Sequence, residues 1–204
     1  MKRPALRRRV PEALIRPSEV VPADPPPGAR VGLRVLVRDD RQEFLTLARQ
    51  SHRLHRPWTY PPERGDQFDE LYGRSRRDDF LCLLSYRLDS GEIAGVFTIS
   101  QIVRGAFQSA YLGYYAHEAH AGQGLMREAI DQVLDHAFGA LGLHRIEANI
   151  QPGNAPSIAL ARGAGFRLEG FSPRYLLIGG QWRDHERYAI TADEWAAMRA
   201  SEAA

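Results

Sequence analysis

Apolar positions along this chain follow two periods in turn. Residues 31–37 form a short β-rich run, and Arg38-Asp39-Asp40 behind it offers a helix N-cap. Phe44, Leu45, Leu47, Ala48 and Leu54 then recur at helical spacing. The segment Arg56-Pro57-Trp58-Thr59-Tyr60-Pro61-Pro62 predicts a loop, and residues 66–77 a short helix carrying Phe68, Leu71 and Tyr72. Strand-like runs follow at 80–88, 93–103 and 107–116, broken by Asp89-Ser90-Gly91 and by Arg104-Gly105. That spacing predicts an antiparallel meander. A helix over 123–139 places Leu125, Ala129, Ile130, Val133 and Leu134 on one face. Residues 144–150 read as a strand and 155–164 as a helix. A strand from 166 turns at Gly179-Gly180 into a second strand over 182–190, and Thr191 caps a last short helix.

A strand–helix–strand stretch behind a meander predicts an α/β (α+β) fold with a mixed, mostly antiparallel central sheet and helices on both faces. Residues 1–30 stand apart. Lys2, Arg3, Arg7, Arg8, Arg9 and Arg16 sit among seven prolines, and no apolar period survives there. They are expected to form a basic, proline-rich, mobile arm, with the folded domain over 31–200. Such an arm offers a contact to RNA, a ribosome or another acidic partner.

Composition narrows the functional classes. Of 204 residues 44% are hydrophobic, enough to build a core. Lys and Arg total 27 against 25 Asp and Glu, so no strong cationic field marks a dedicated nucleic-acid binder. The single cysteine, Cys82, excludes an intrachain disulfide and a multi-cysteine zinc site. The single lysine, Lys2, excludes a P-loop and argues against a Schiff-base enzyme. No apolar run is long enough to span a membrane and no secretory h-region follows the basic start. A cytoplasmic protein is expected, as monomer or homodimer.

The chemistry concentrates around residues 111–129. A strand ends and a helix begins across Gly122-x-Gly124. Free N–H groups and the positive dipole end of a helix bind anions, and glycines let a pyrophosphate approach the backbone. Arg127 holds the place of a third glycine, and the strands before it form a meander, so this is no dinucleotide fingerprint. Asn154-x-x-Ser157 opens the next helix, with Asn154 a natural N-cap. Two helix N-termini around one split sheet can flank one extended ligand.

From about Val31 to Ile190 the chain resembles the GCN5-related N-acetyltransferases, and within them the RimJ-type ribosomal-protein alanine N-acetyltransferases. The matching strings are His55-Arg56-Pro57-Trp58, Val103-Arg104-Gly105-Ala106-Phe107, Tyr111-Leu112-Gly113-Tyr114 and Gly122-Gln123-Gly124-Leu125-Met126-Arg127-Glu128-Ala129. They continue with His144-Arg145-Ile146-Glu147-Ala148-Asn149, Pro152-Gly153-Asn154 and the long string from Tyr175 to His185. The resemblance implies acetyl-CoA as donor and a sheet splayed where it binds. Tyr115, Ala116 and His117 would line the pantetheine arm with backbone groups. Gly122, Gln123, Gly124, Leu125 and Met126 would hold the pyrophosphate. Asn154 would bond the pantetheine, and Ser157 would sit near the sulfur. Two positions depart from the family: Ala119 stands where a Gln or Arg is usual, and Ala161 where a general-acid tyrosine often is. Ser157 is left to protonate the CoA thiolate.

The acceptor amine must be neutral to attack. At pH 7 roughly a tenth to a sixth of an α-amino group is neutral, against about one in a few thousand lysine amines. A protein N-terminus beginning with Ala or Ser, possessed for example by a ribosomal protein, is the expected acceptor, with Glu147, Glu118 or His117 as candidate bases acting through water. A backbone N–H near Ala116 would hold the thioester oxygen. Trp58, Tyr60, Tyr175 and Trp182 are expected to wall the acceptor channel. A small-amine acceptor is the rival; a polyamine would require Asp66, Asp69 and Glu70 to line an acidic pocket. A module that binds acetyl-CoA without turnover is the second rival. His52-x-x-His55 and His117-x-x-His120 lack an evident third ligand, so no metal site is expected.

Overall fold

A computed structural model describes residues 16–202. Its chain order is β1 (Val31–Val35), α1 (Arg41–Gln50), α2 (His52–His55), α3 (Gly65–Arg74), then the meander β2 (Phe80–Arg87), β3 (Ile93–Val103) and β4 (Ser109–Ala116). It continues with α4 (Leu125–Asp135), β5 (Arg145–Ile150), α5 (Ala155–Gly163), the hairpin β6 (Arg167–Ile178) and β7 (Gln181–Thr191), and α6 (Ala192–Glu202). The strands form one sheet in the order β1-β2-β3-β4-β5-β7-β6. Every neighbouring pair is antiparallel except β4 and β5.

The unbroken apolar run of β2 is explained by burial on both faces. Phe80, Cys82 and Leu84 point to Phe44, Leu45 and Ala48 of α1 and Phe68 and Leu71 of α3. Leu81 and Leu83 point the other way, to the cluster holding Ala129, Ile130 and Val133 of α4. Cys82 is fully enclosed, and burial pushes its thiol up to about 12.

The parallel pairing of β4 with β5 stops at Tyr111 and Glu147, while β4 runs on to Ala116 and β5 to Ile150. The two strand ends diverge, and the expected splay is this gap.

Several boundaries differ from the sequence expectation. The helix expected from residue 123 starts at Leu125, because Gly122 and Gly124 take φ of 73° and 77°, a left-handed backbone that no helix continues. It passes after Asp135 into a π-helical turn, His136–Ala140. The periodic stretch through Leu54 is two helices, broken at Ser51. The β3–β4 register shifts between Ser100 and Val103, so β4 starts only at Ser109.

Residues 16–30, expected within a mobile arm, lie against the domain. Pro17 and Ser18 are buried, Val20 packs on the α4-side core, and the N–H groups of Arg30 and Val31 both donate to Glu128 of α4. Apolar Pro and Val side chains here cover core surface that β1 and β2 leave open. The more basic part of the arm, Lys2 to Arg9, lies outside the described residues. Among the described residues no helix is long and apolar enough to cross a membrane.

Candidate active site

The gap between β4 and β5 opens a cavity of about 350 Å³ where the N-termini of α4 and α5 converge. At α4 no carbonyl or side chain among the described residues accepts from the N–H groups of Gly122, Gln123, Gly124, Leu125 and Met126. A Cβ at Gly122 would meet nothing within 4 Å, so the loop is open on its outer side. Arg30 straps the loop from behind: its guanidinium donates to the Gln123 carbonyl at 3.0 Å and to Glu128 at 3.0 Å. Burial pushes the Glu128 carboxyl upward, but the N–H groups of Arg30 and Val31 and the Arg30 charge outweigh it and hold it below the usual carboxylate range. Unsatisfied backbone donors at a glycine-rich helix start suit a pyrophosphate.

At α5 the capping is done by side chains. Asn154 Oδ1 accepts from the Ser157 N–H at 3.4 Å, and Pro156 sits in the first turn, where no N–H is needed. Ser157 Oγ lies 3.0 Å from Tyr114 Oη, which in turn donates to the Ser157 carbonyl at 2.9 Å. Beside this helix end, Gln151 donates to the Trp58 carbonyl at 3.0 Å, and a Cβ on Gly153 would lie 3.0 Å from the Trp58 ring. The proline-rich loop therefore abuts the start of α5.

At the end of β4, His55 Nε2 donates to the Ala116 carbonyl at 2.8 Å. A carbonyl accepts, so Nε2 carries the hydrogen, and the Nδ1 lone pair has no partner. Burial outweighs this hydrogen bond and lowers the His55 pKa, which favours the neutral ring. Its ring meets Tyr115 edge-on, with centroids 5.1 Å apart.

Of the residues singled out in the sequence, Tyr115, Ala116, Gly122, Gly124, Leu125, Met126, Asn154, Ser157 and Trp58 line this cavity. Others do not. His117 is fully enclosed; burial lowers its pKa to about 3, and the Leu47 carbonyl it faces lies outside good hydrogen-bond geometry. A fully enclosed imidazole whose pKa is lowered in this way is a weak base and is not among the cavity-lining side chains. Gln123 turns its side chain back to the Ala119 carbonyl. Glu147 sits at the last β4–β5 pair with its carboxylate on Arg145, and Glu118 is exposed on the turn after β4, its N–H held by Ser51 Oγ. Neither carboxylate reaches the cavity, because both belong to positions where the strands have not yet parted or have already ended.

The expected aromatic walls divide likewise. Tyr60 lies under Arg56, whose guanidinium is 3.5 Å above its ring, and its hydroxyl fills the space a Cβ on Gly179 would need. It thus ties the loop to the β6–β7 turn rather than lining the cavity. Tyr175 meets His185 edge-on, and its hydroxyl beside Tyr111 pushes that phenol up to about 12. Trp182 stands 61% exposed on β7. Asp66 and Asp69 pair with Arg64 and Arg41, Glu70 is exposed, and none of the three lines the cavity. Sequence reasoning missed His55 and Tyr114 as lining residues. The His-Arg-Pro-Trp string held the first, but no spacing rule reports a contact between residues 55 and 116.

Two helix N-termini, one of bare glycine backbone, across the gap of a splayed mixed sheet, are the arrangement of an acyl-CoA-dependent transferase. Residues 30–167, more than half of the chain, match the family described as Acetyltransferase (GNAT) domain; the chain belongs to that family and is an acetyl-CoA-dependent N-acetyltransferase. Among its relatives, the [ribosomal protein uS5]-alanine N-acetyltransferase of Escherichia coli (strain K12) is 42% identical over 111 residues, 54% of this chain and 57% of that one. The structure of Mycobacterium smegmatis RimJ in complex with CoA-disulfide matches with a TM-score of 0.75 at 30% identity, covering 86% of this chain and 91% of that one. Spermidine N-acetyltransferase from Vibrio cholerae, in complex with CoA and spermine, shares the fold, with a TM-score of 0.71 at 24% identity over 82% of this chain and 98% of that one.

Proposed function

We propose that this enzyme acetylates a protein N-terminal α-amine, with Ala or Ser first, and that the substrate is a ribosomal protein. One observation favours this choice over a polyamine: among the described residues no carboxylate lines the cavity in which acetyl donor and acceptor must meet. A polycation placed there would lose water and gain no opposite charge. An α-amine, partly neutral at pH 7, needs no such partner. The similarity to the uS5-alanine enzyme and to RimJ supports the same reading.

In this reading the N–H groups of Gly122 to Met126 hold the pyrophosphate, the edges of Tyr115 and Ala116 flank the pantetheine arm in the gap, and Asn154 bonds it. Acetyl-CoA supplies the activated acetyl group. The Trp58 loop walls the acceptor side and leaves room for a small first residue; a bulky one displaces the amine from line with the thioester. The amine attacks directly in a ternary complex, and its proton leaves through water. Ser157, in the first turn of α5, donates a hydrogen bond to the departing thiolate. The basic residues between Lys2 and Arg9 are proposed to meet ribosomal RNA.

The test is a panel of Ala-, Ser- and Leu-initiated peptides against spermidine and an aminoglycoside, with detection of released thiol. Higher kcat/KM for the Ala and Ser peptides is expected. Spermidine turnover well above every peptide would overturn the assignment.

A further inference from the structure

We propose that Tyr114 is a positioning residue for this reaction, holding the Ser157 hydroxyl in the setting from which it hydrogen-bonds the departing CoA thiolate. This rests on the reading of Ser157 given above. Tyr114 comes from β4 and Ser157 from α5, and both line the cavity. One phenol hydrogen faces two acceptors on the same residue, Oγ at 3.0 Å and the carbonyl oxygen at 2.9 Å. Two settings follow. In one, Tyr114 donates to the carbonyl and Ser157 donates to Oη, so the serine hydrogen is turned from the cavity. In the other, Tyr114 donates to Oγ, and the serine hydrogen is free for a sulfur. Both hydroxyls rotate, no covalent bond changes and every heavy atom stays in place.

A thiolate is a stronger acceptor than a phenol oxygen, so its formation favours the second setting. There the phenol also polarises the serine O–H, and the two bonds strengthen each other. Burial pushes the Tyr114 phenol up to about 12 against the opposing pull of the Ser157 bond, so it keeps its hydrogen throughout the working range. Helix α5 offers no phenol of its own, since the side chain one turn on, Ala161, is a buried methyl. The Tyr114 ring lies against Phe97, centroids 6.2 Å apart, which fixes where its hydroxyl points.

Tyr114→Phe deletes the hydroxyl and keeps that ring contact. With acetyl-CoA and an Ala-initiated peptide, kcat is expected to fall about tenfold, with the acetyl-CoA KM changed less than about twofold. In a Ser157→Ala background the same substitution is expected to cost less than about twofold more, because its target is gone. Losses that multiply fully, or an unchanged kcat, overturn the proposal. If Ser157→Ala itself keeps full kcat, the Ser157 reading falls and takes this one with it; a slow Ser157→Ala beside a fully active Tyr114→Phe sinks this one alone. A second readout needs no turnover: ultraviolet titration of the thiol of bound CoA. Its pKa should lie below that of free CoA in the parent enzyme and rise in Tyr114→Phe, and equal values in the two proteins overturn the proposal.

Discussion

The N-termini of α4 and α5 face one cleft and are built from opposite materials. At α4 the cap is Gly124, left-handed at φ 77°, with no side-chain hydrogen bond, and the donors are bare backbone. At α5 the cap is Asn154, whose side chain closes on the Ser157 N–H, and a serine hydroxyl stands in the first turn. A pyrophosphate is large, charged and identical in every turnover, so fixed N–H groups suit it. A sulfur changes charge as it leaves, so a rotatable hydroxyl suits it. In the proposed mechanism the first end binds and the second responds.

Substitutions at the two ends should therefore fail in different ways. Gly124→Asp sets a Cβ into a left-handed backbone and a negative charge beside the donors; acetyl-CoA affinity by calorimetry is expected to fall about a hundredfold or more, while the fold survives. An unchanged Kd in the folded variant would dissolve the comparison. Ser157→Ala is expected to lower kcat about tenfold and leave the acetyl-CoA KM nearly alone. The reverse split would make both ends binding ends.

Elsewhere two imidazoles are buried without hydrogen-bond partners, His117 just after β4 and His136 in the turn after α4. Burial lowers His117 to about 3 and, in the turn after α4, His136 to about 4. Their folded pKa values lie below the unfolded value of about 6.5, so the unfolded chain binds more protons below that pH. Stability is full above about pH 6.5 and declines toward pH 4, with a thermal midpoint that should fall steadily over that window. A flat profile from pH 7 to 4 would show that the rings are hydrated.

A smaller effect is expected at Asn154→Ala: about 1 kcal/mol of stability through the lost cap, some 2–4 °C in Tm. The smallest concerns the chain before residue 16, which lies outside the described residues. Removing residues 1–15 should leave peptide turnover intact, whereas removing 1–28 strips the packing of Pro17 and Val20 and should lower Tm. If the first fifteen residues meet RNA, their loss should abolish a salt-sensitive ribosome association of the full chain.

Much of this was legible in the residues. The meander, the glycine turn and the Asn-x-x-Ser helix start are local patterns, and local patterns report backbone conformation and caps. What stayed hidden was long-range. Glu147 and Glu118 carry suitable chemistry, but a one-residue change in register decides which side of the splay a carboxylate meets. His117 and His55 are equally polar on paper; only packing seals the first and leaves the second against the cavity. Arg30 sits in a stretch without apolar period, yet it closes the back of the glycine loop through a carbonyl 93 positions away.

The burial of Cys82 has a consequence for handling as well as for chemistry. Each turnover releases a free thiol, and the sheet holds the protein's own, Cys82. Enclosed within β2 and kept protonated, Cys82 offers no thiolate to oxidised CoA or to a thioester. The enzyme is thereby protected from thiol–disulfide exchange with the oxidised form of its product and from accidental S-acetylation. A thiol-trapping reagent added to the folded protein will count coenzyme alone.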